Sequence, residues 1–350
     1  MDNNFIMAQL PPYTNDIISK VSGLNWFIHY FNLDDEQDIY SIGNYIHNNQ
    51  LHDVNYIAIL DSNVYQFVLN AYKKSTNKPE HRNAIALLVF CRITDINFDT
   101  TYPVYEKLNY GTKKIAKVLD DLELFRNMDN ADIDQLAMYA LNKSNSFSIP
   151  NTVKINKQQL KTELTKYRRL TNWDSFYLFI LVITSVSHNK QIKNKLEHFI
   201  KWMLNEFFFS LIAITYAIVF FGKKPLPKMM KYKDKMSSEN KEKSITNMTW
   251  DLFHMQAIFE RWKKKTATEE FIFISDDKAF SELLRLAISI QNKEGIEHLS
   301  KHISEEDIAF VNKFTNQTYL ASNERTQYMA NLNAQDRSVM IQQYEDLLFA

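Results

Sequence analysis

A single cysteine, Cys91, occurs among the 350 residues of the chain. One cysteine excludes an internal disulfide framework and every zinc or iron–sulfur site that needs several thiolates. So few thiols fit a reducing compartment, and we therefore expect a cytoplasmic protein in which Cys91 packs as a small hydrophobic residue. His298 and His302 stand at helical spacing, but they lack a third ligand and the glutamate of a zinc protease, so we expect a solvent-facing pair.

Glycine is scarce as well, with only five in the chain. No two glycines are spaced as Gly-x-Gly, which excludes the dinucleotide-binding fingerprint. No glycine stands at the P-loop distance before Gly222-Lys223, and the Gly-x-Ser-x-Gly elbow is also absent. The sequence therefore excludes most enzymes that work with a nucleotide cofactor.

Neither sign of charge is in excess, because Lys+Arg and Asp+Glu both number 41. A balanced chain has no global field that would attract nucleic acid or an anionic membrane, so any basic surface must be local. A local excess lies in residues 223–243, where eight lysines face three acids. Prolines and serines in this block predict a loop or a frayed helix.

Long hydrophobic runs are also lacking. Residues Phe207–Phe221 carry no charge over 15 residues, and Phe176–Val186 is a shorter apolar run. A membrane-spanning helix needs ~20 apolar residues, whereas a shorter helix that is apolar on all sides is typical of the centre of a helical layer. The amino terminus has no basic segment before an apolar one, which argues against a signal peptide. We expect a buried helix at Phe207–Phe221 and no stable membrane insertion.

Two short apolar segments predict strands of an α/β fold. Asn55–Leu60 and Phe271–Ser275 are rich in Ile and Phe, as buried parallel strands are. A helical pattern follows each segment directly, which predicts parallel strands of one sheet. The expected order of domains is a helical N-terminal extension (1–53), the first part of the core (54–150), a helical insertion (151–245), the second part of the core (246–303) and a helical C-terminal extension (304–350).

Carboxylates follow both predicted strands, with Asp61 after the first and Asp276 and Asp277 after the second. Side chains at the carboxyl ends of parallel strands converge on the edge where α/β proteins place functional sites. Glu106 on one predicted helix and Asp251 near the predicted start of another add two further acids. Crowded carboxylates repel one another, and Mg²⁺ or Mn²⁺ relieves that repulsion because these ions prefer oxygen ligands.

The order of four segments resembles that in the PIN-domain nucleases. The segments are ILDSN, YPVYEKL, TWDLFHMQAIFERW and FIFISDDKAF. The family has an aspartate after its first strand, a glutamate on an early helix, an aspartate that opens a later helix, and a Ser/Thr-x-Asp after the next strand. The residues that fill these places are, in order, Asp61, Glu106, Asp251 and Asp277. The resemblance covers Asn55–Leu108 and Asn247–Ile290, under a third of the chain.

This resemblance implies a PIN-like three-layer α/β/α core and a metal-dependent nuclease. The four acids, with Asp276 as an extra ligand or general base, would hold one or two Mg²⁺ or Mn²⁺ ions. Ser62 and Asn63, which match the residues after the family's first acid, would orient Asp61 or a bound water. A metal-held hydroxide would attack the phosphorus in line, leaving a 5′-phosphate and a 3′-hydroxyl.

The resemblance also favours an endoribonuclease that acts as a toxin or defence effector, although no residue selects RNA over DNA. Backbone phosphates would then meet the basic block, whose candidate residues are Lys223, Lys224, Lys228 and Lys231. Lys113, Lys114 and Lys117 are candidates for the same role. A homo-oligomer and a neutralising partner protein both stay open.

Each acid also has an explanation that leaves it outside any site. Asp251 could complement a helix dipole, Asp61 could cap the following helix, and Glu106 could lie on a solvated face. The gap between Glu106 and Asp251 is far longer than in compact PIN domains, and the doubled Asp276-Asp277 leaves the fourth ligand open. The alternative function is a non-catalytic helical scaffold or interaction module built on a degenerate PIN-like core.

Overall fold

The chain divides into two compact units. The first unit comprises Met1–Arg168 and Ile258–Asp277, and the second comprises Arg169–Ala257 and Lys278–Ala350. The computed structural model describes residues 10–30, 38–74, 77–109, 114–150, 152–166, 172–291, 300–314 and 332–350. Both predicted strands, and the acids that follow them, belong to the first unit.

One four-stranded sheet is present in the described part of the first unit. Its strands are β1 (Phe27–Ile28), β2 (Asn55–Leu60), β3 (Asn97–Asp99) and β4 (Glu269–Ile274). Their order is β1-β4-β2-β3, with β2 parallel to both neighbours and β1 antiparallel to β4. The prediction that the strands ending at Asp61 and Ser275 are parallel members of one sheet is therefore confirmed.

The two central strands are buried because they are almost wholly apolar. Residues 58–60 of β2 and 272–274 of β4 are fully buried, and strands buried on both faces give continuous apolar runs in the sequence. β1 has two residues and β3 has three, and segments so short leave no recognisable pattern. The N-terminal segment 1–53, predicted to be helical, therefore contributes an edge strand as well as helices.

Helices make up most of the first unit. They are α1 (Thr14–Ser22), α2 (Ile42–His52), α3 (Ser62–Lys73), α4 (Pro79–Ile93), α5 (Thr101–Leu108), α6 (Ile115–Asp129), α7 (Ile133–Ala140) and α8 (Lys157–Lys166). α4 is the central helix, since α1, α3 and α7 all pack on it and its residues 84–91, including Cys91, are buried. α5 packs against α3, α6 and β2, which fixes α3 and α5 beside the sheet.

The described part of the second unit is helical. Its helices are α9 (Trp173–His188), α10 (Lys195–Asn205), α11 (Leu211–Phe221), α12 (Ser238–Lys264), α13 (Lys278–Gln291), α14 (Glu305–Phe314) and α15 (Ala334–Phe349). Residues 258–264 of α12 belong to the first unit. α9 packs against α10, α11 and α15, and α11 packs against α13.

The apolar run Phe207–Phe221 forms a buried helix, as predicted, but the helix is shorter than the run. α11 begins at Leu211 because Ser210 caps it, accepting a 3.2 Å hydrogen bond from the backbone N–H of Ala213 at its Oγ. Residues 212–219 are buried. None of the helices in the described stretches has both the length and the apolar character that a membrane span requires.

Two boundaries differ from the sequence-based expectation. α12 begins at Ser238 and not at Thr246-Asn247, because Ser237 accepts the first backbone bonds and the residues that follow are rich in Glu and Lys, which favour helix. α13, assigned from the sequence to the second part of the core, belongs to the second unit, where its apolar face packs on α11.

Candidate functional site at the carboxyl edge of the sheet

The carboxyl ends of β2 and β4 lie side by side. Leu60 is paired with Ile274 in the parallel register, and the backbone N–H of Asp61 donates a 2.9 Å hydrogen bond to the Ile274 carbonyl. The two strands therefore end at the same level, and the polar residues that follow them share one edge. We call this region, residues 61–63 and 275–277, the carboxyl edge.

Ser275 joins the two sides of the carboxyl edge. Its Oγ donates a 2.8 Å hydrogen bond to Asp61 Oδ2 and accepts a 3.1 Å hydrogen bond from the backbone N–H of Asp277. Ser275 is buried, whereas its two partners, Asp61 and Asp277, are partly exposed. One hydroxyl thus fixes the first acid of the PIN-like pattern relative to the last.

Asp61 does not serve as a side-chain cap. It is the residue before α3, and its backbone carbonyl accepts the first helical hydrogen bond from Tyr65 at 3.0 Å. Its carboxylate makes no capping hydrogen bond to the described first turn of α3. The carboxylate instead accepts from Ser275, so the capping alternative does not explain why an acid stands here.

Glu106 is also held at the carboxyl edge. It lies on α5, which follows β3, and its Oε2 accepts a hydrogen bond from Ser62 Oγ. Ser62 follows Asp61 directly in the chain. Glu106 is therefore held by the residue next to Asp61, and it does not lie on a purely solvated face.

Asp276 carries an unusual carboxylate. Its Oδ1 is buried and has no hydrogen-bond partner among the described residues. Burial, helped by the negative charges of Asp277 and Glu80, raises the pKa of Asp276 above its ordinary value, and a hydrogen bond from the Asn63 side chain opposes part of that rise. A carboxylate in this setting holds its proton more readily than an ordinary one, or else accepts a cation.

The hydrogen bonds of Ser62 and Asn63 go to other acids than the one expected from the sequence. Ser62 bonds Glu106, and Asn63 bonds Asp276, whereas the sequence suggested that they would orient Asp61 or a bound water. Ser275 orients Asp61 through its hydroxyl, and the sequence had not suggested that role. The Ser-x-Asp spacing of Ser275 and Asp277 was the available signal.

The structure places Asp251 in the second unit, within α12. Its Oδ2 lies 2.6 Å from Lys231 Nζ, and both side chains are about one-third exposed. The sequence had suggested that Asp251 opens a helix or complements a helix dipole. Asp251 instead lies well inside α12, so it does neither. Two residues predicted for different roles, a metal ligand and a phosphate contact, form an ion pair with each other.

The basic block contains a loop, as predicted, followed by the start of α12. Lys223, Lys224 and Lys228 are exposed, whereas Lys231 is half-buried by its pair with Asp251. The backbone N–H of Lys223 donates a 2.6 Å hydrogen bond to the His302 carbonyl. Three of the four candidate lysines therefore present their charge to solvent. Lys114 and Lys117 are exposed as well.

Two predictions fall outside the described residues. Lys113, a candidate phosphate contact, and His298, one half of the histidine pair, are both in this group. His302 is described and buried, so the expectation that it faces solvent is wrong.

A further acid lies on the third parallel strand, and the sequence did not indicate it. Asp99 ends β3, next to β2, and its Oδ1 accepts a 2.8 Å hydrogen bond from the backbone N–H of Thr101. Its Oδ2 pairs with Arg261, whose guanidinium also lies 5.3 Å from the Tyr102 ring centroid. Asp99 is neutralised and anchors the start of α5, which positions Glu106.

The described residues form no centre with three or more protein ligands. In the stretches that the structure describes, no three His, Cys, Asp or Glu side chains are grouped so that they could hold one metal ion. Comparisons of the chain with protein-family models, with curated proteins and with solved structures find no match. The carboxyl edge therefore has to be interpreted from its own chemistry.

Proposed function

We propose that the chain is a divalent-metal-dependent phosphodiesterase, a nuclease with a PIN-like core whose reaction takes place at the carboxyl edge. The observation that carries the proposal is the hydroxyl of Ser275, which bonds both Asp61 and the backbone of Asp277. Two acids from separate strands are thereby held in a fixed relation, with Glu106 held next to them through Ser62.

The acids of the carboxyl edge offer carboxylate oxygens, which are the ligand atoms that Mg²⁺ and Mn²⁺ prefer. The buried Oδ1 of Asp276 makes no hydrogen bond to any described residue. Mg²⁺ is commonly bound through one or two carboxylates, with water and substrate phosphate completing its shell. A site of this kind needs no group of three protein ligands, and Asp61 and Asp277 would supply its two carboxylates. When bound, such an ion would favour ionisation of water and stabilise charge on the leaving oxygen.

The residues of the chain have distinct tasks in this proposal. Asp61 and Asp277 would attract the cation and orient the phosphodiester, and the Ser275 hydroxyl holds the Asp61 carboxylate against the backbone of Asp277. Asp276, whose pKa is raised mainly by burial, would accept the proton that the attacking water loses. Glu106 adds negative charge on the α5 side of the edge. Asp251 fills the remaining place in the PIN-like pattern, and it would act only if its ion pair with Lys231 opened.

RNA is the proposed substrate, and a toxin or defence effector is the proposed cellular role, both on the PIN resemblance. Exposed lysines of the basic block, Lys223, Lys224 and Lys228, would contact backbone phosphates without reading sequence. Their loss would weaken binding of all sequences alike and reduce its dependence on salt.

Cleavage of single-stranded and structured RNA, with Mg²⁺, Mn²⁺ or EDTA, tests this proposal. Asp61→Asn and Asp277→Asn keep the side-chain shape but remove one negative charge each, so we expect cleavage to fall at least a hundredfold, a loss of several kcal/mol of charge stabilisation. Asp16→Asn, an exposed aspartate of the same unit, is the matched control and should cleave like the parent. Cleavage that survives EDTA, or that Asp61→Asn leaves intact, would overturn the proposal.

A non-catalytic scaffold is the second candidate, and one observation favours it. No three described acids are grouped for one ion, as expected of a PIN-like module that has lost its centre. This candidate predicts no cleavage in any metal and no change in thermal stability on adding Mg²⁺ or Mn²⁺. A bound ion would raise the unfolding temperature of the parent but not of Asp61→Asn.

A further inference from the structure

A second charged cluster lies near the carboxyl edge, where α3, α5 and α6 meet. Asp121 on α6 is almost fully buried, and it forms ion pairs with both Lys73 on α3 and Lys107 on α5. One carboxylate thus faces two ammonium groups, and the charge of Lys117 also acts on Lys107. The cluster carries more positive than negative charge, although Asp121 is its only deeply buried ion.

The surplus is partly shielded from water. The Lys107 side chain is 21% exposed and the Asp121 side chain with which it pairs is 6% exposed. The Lys107 ammonium lies 4.5 Å from the Tyr65 ring centroid. A second anion at this place would therefore be stabilised, because it would meet unbalanced positive charge in a medium less polar than water.

A chain of hydrogen bonds extends from Lys107 along the surface of α3. Lys107 Nζ donates to Gln66 Oε1 at 2.7 Å, and Gln66 Nε2 donates to Asn70 Oδ1 at 3.0 Å. Since the oxygen of Gln66 accepts from a lysine, its amino group must be the donor to Asn70. The amide of Asn70 is thereby oriented, with its oxygen used and its amino group left as a donor.

One face of α3 connects the carboxyl edge to Lys73. Asn63, Gln66, Asn70 and Lys73 are spaced three, four and three residues apart, which places them on one face of α3. With a rise of about 1.5 Å per residue, Asn70 and Lys73 lie about 10 Å and 15 Å along the axis from Asn63. Asn63 itself bonds Asp276. The face therefore leads from the acids to two hydrogen-bond donors.

We propose that Asn70 and Lys73, supported by Lys107 and Lys117, form a phosphate-binding subsite for the nucleic-acid backbone. This inference rests on the proposed function, since a strand cleaved at the carboxyl edge would pass along α3. The subsite offers hydrogen-bond donors and surplus positive charge. A backbone phosphate fits it because a phosphate is negatively charged and only accepts hydrogen bonds. The Lys73 side chain is 38% exposed, so it can reach a ligand while it remains paired with Asp121.

Binding of a fluorescein-labelled single-stranded oligoribonucleotide, measured by anisotropy in EDTA over a range of salt, tests the subsite without turnover. We expect Lys73→Met to raise Kd about tenfold, as for the loss of one charged hydrogen bond, and to reduce the salt slope by about one charge. Asn70→Ala should raise Kd about threefold, as for a neutral hydrogen bond. Lys74→Met, which replaces the exposed lysine directly after α3, is the matched control and should stay within about twofold.

Lys73 also pairs with Asp121, so thermal unfolding of each variant is measured beside binding. If Lys73→Met unfolds early, Asn70→Ala decides, because its side chain takes no part in the ion pairs of Asp121. Unchanged binding in Asn70→Ala and Lys73→Met, or equal weakening by Lys74→Met, overturns the subsite. Parent protein that binds the probe through these residues but never cleaves it overturns the proposed function and leaves the subsite standing.

Discussion

Ser275 Oγ lies 2.8 Å from Asp61 Oδ2, across the ends of two neighbouring parallel strands. Because the serine proton is given to Asp61, its oxygen is free to accept from the backbone N–H of Asp277, as observed at 3.1 Å. The serine thus has a defined orientation and a defined partner on each side. This small unit is the basis of the proposed site, and it can be removed by one substitution.

Ser275→Ala should separate positioning from charge at the carboxyl edge. The variant keeps every carboxylate but leaves Asp61 and the Asp277 backbone without their shared partner, which should cost about 1–3 kcal/mol of stability. We expect cleavage to fall about tenfold while metal binding is largely kept, and Ser275→Thr to recover most of the activity. Chemical denaturation, calorimetric Mg²⁺ titration and cleavage rates check these three outcomes. An alanine variant that cleaves like the parent would remove Ser275 from the site.

The sequence predicted the centre of the fold well and its margins poorly. β2 and β4 were visible because they are buried on both faces and so are continuously apolar, and their parallel pairing followed from the helices after them. β1 and β3 were missed because two or three residues cannot show a period. Asp61, Asp276 and Asp277 were found through β2 and β4, whereas Asp99 was missed with β3.

The sequence also did not reveal which side chains would pair across the fold. Lys231 and Asp251 form an ion pair at 2.6 Å, and nothing in the spacing of either residue indicates the other. The start of α12 at Ser238 was hidden for a related reason, because lysines and glutamates suit a helix and a solvated loop equally well. Hydrogen bonds such as Ser62 to Glu106 depend on packing between helices, which a pattern along one segment does not report.

Asp276→Asn should stabilise the chain at neutral pH. Burial and the charges of Asp277 and Glu80 raise the pKa of Asp276 in the folded state, so the native chain keeps this proton to a higher pH than the unfolded chain does. Stability therefore falls as the pH rises through that interval, and the penalty remains above it. Asparagine carries no charge and avoids this penalty, so its advantage should shrink as the pH falls towards the ordinary aspartate pKa of ~3.9.

Denaturant midpoints of the parent and Asp276→Asn, measured in EDTA from about pH 4 to pH 8, check this prediction. Asp16→Asn, an exposed aspartate, is the control and should show no such pH-dependent gain. A midpoint for Asp276→Asn below that of the parent at neutral pH would mean that the ionised carboxylate is stabilised by a contact other than Asn63.

Asp251→Asn should impair cleavage less than Asp61→Asn does. The Asp251 carboxylate is already neutralised by Lys231, and a half-exposed pair of this kind contributes about 0–1 kcal/mol to stability. We expect Lys231→Met and Asp251→Asn each to have a small effect on stability, and the effect of the double variant to be smaller than the sum of the two. A loss of cleavage in Asp251→Asn as large as in Asp61→Asn would instead make Asp251 a full member of the site.

Arg82→Met should strongly lower the stability of the first unit. It is almost fully buried, and its guanidinium donates to the Tyr139 and Ser144 carbonyls and to Asn77 Oδ1. Arg82→Met leaves these acceptors without a donor, which should cost about 3 kcal/mol. Arg82→Lys keeps the charge but reaches fewer acceptors, so its stability should lie between that of the parent and that of Arg82→Met. Chemical denaturation checks the order, and Lys78→Met, exposed on the same segment, should match the parent.

Gly222→Ala should destabilise the second unit, whereas Gly43→Ala should not destabilise the first. A Cβ on Gly222 would overlap the His302 carbonyl oxygen and lie 2.6 Å from the Ile218 carbonyl oxygen. Both obstacles are backbone, and His302 also accepts the Lys223 N–H, so the chain would have to move at a cost of about 1–3 kcal/mol.

Gly43 is the matched control because its added Cβ would meet only Ser41 Oγ, at 4.0 Å. It lies in the first turn of α2, where alanine is favoured over glycine by up to about 1 kcal/mol. Hydrogen exchange followed by mass spectrometry should show that Gly222→Ala loses protection in α11 and around residue 302, while Gly43→Ala keeps or gains protection in α2. Equal protection in Gly222→Ala and the parent would mean that the start of the basic block is not anchored at the His302 carbonyl.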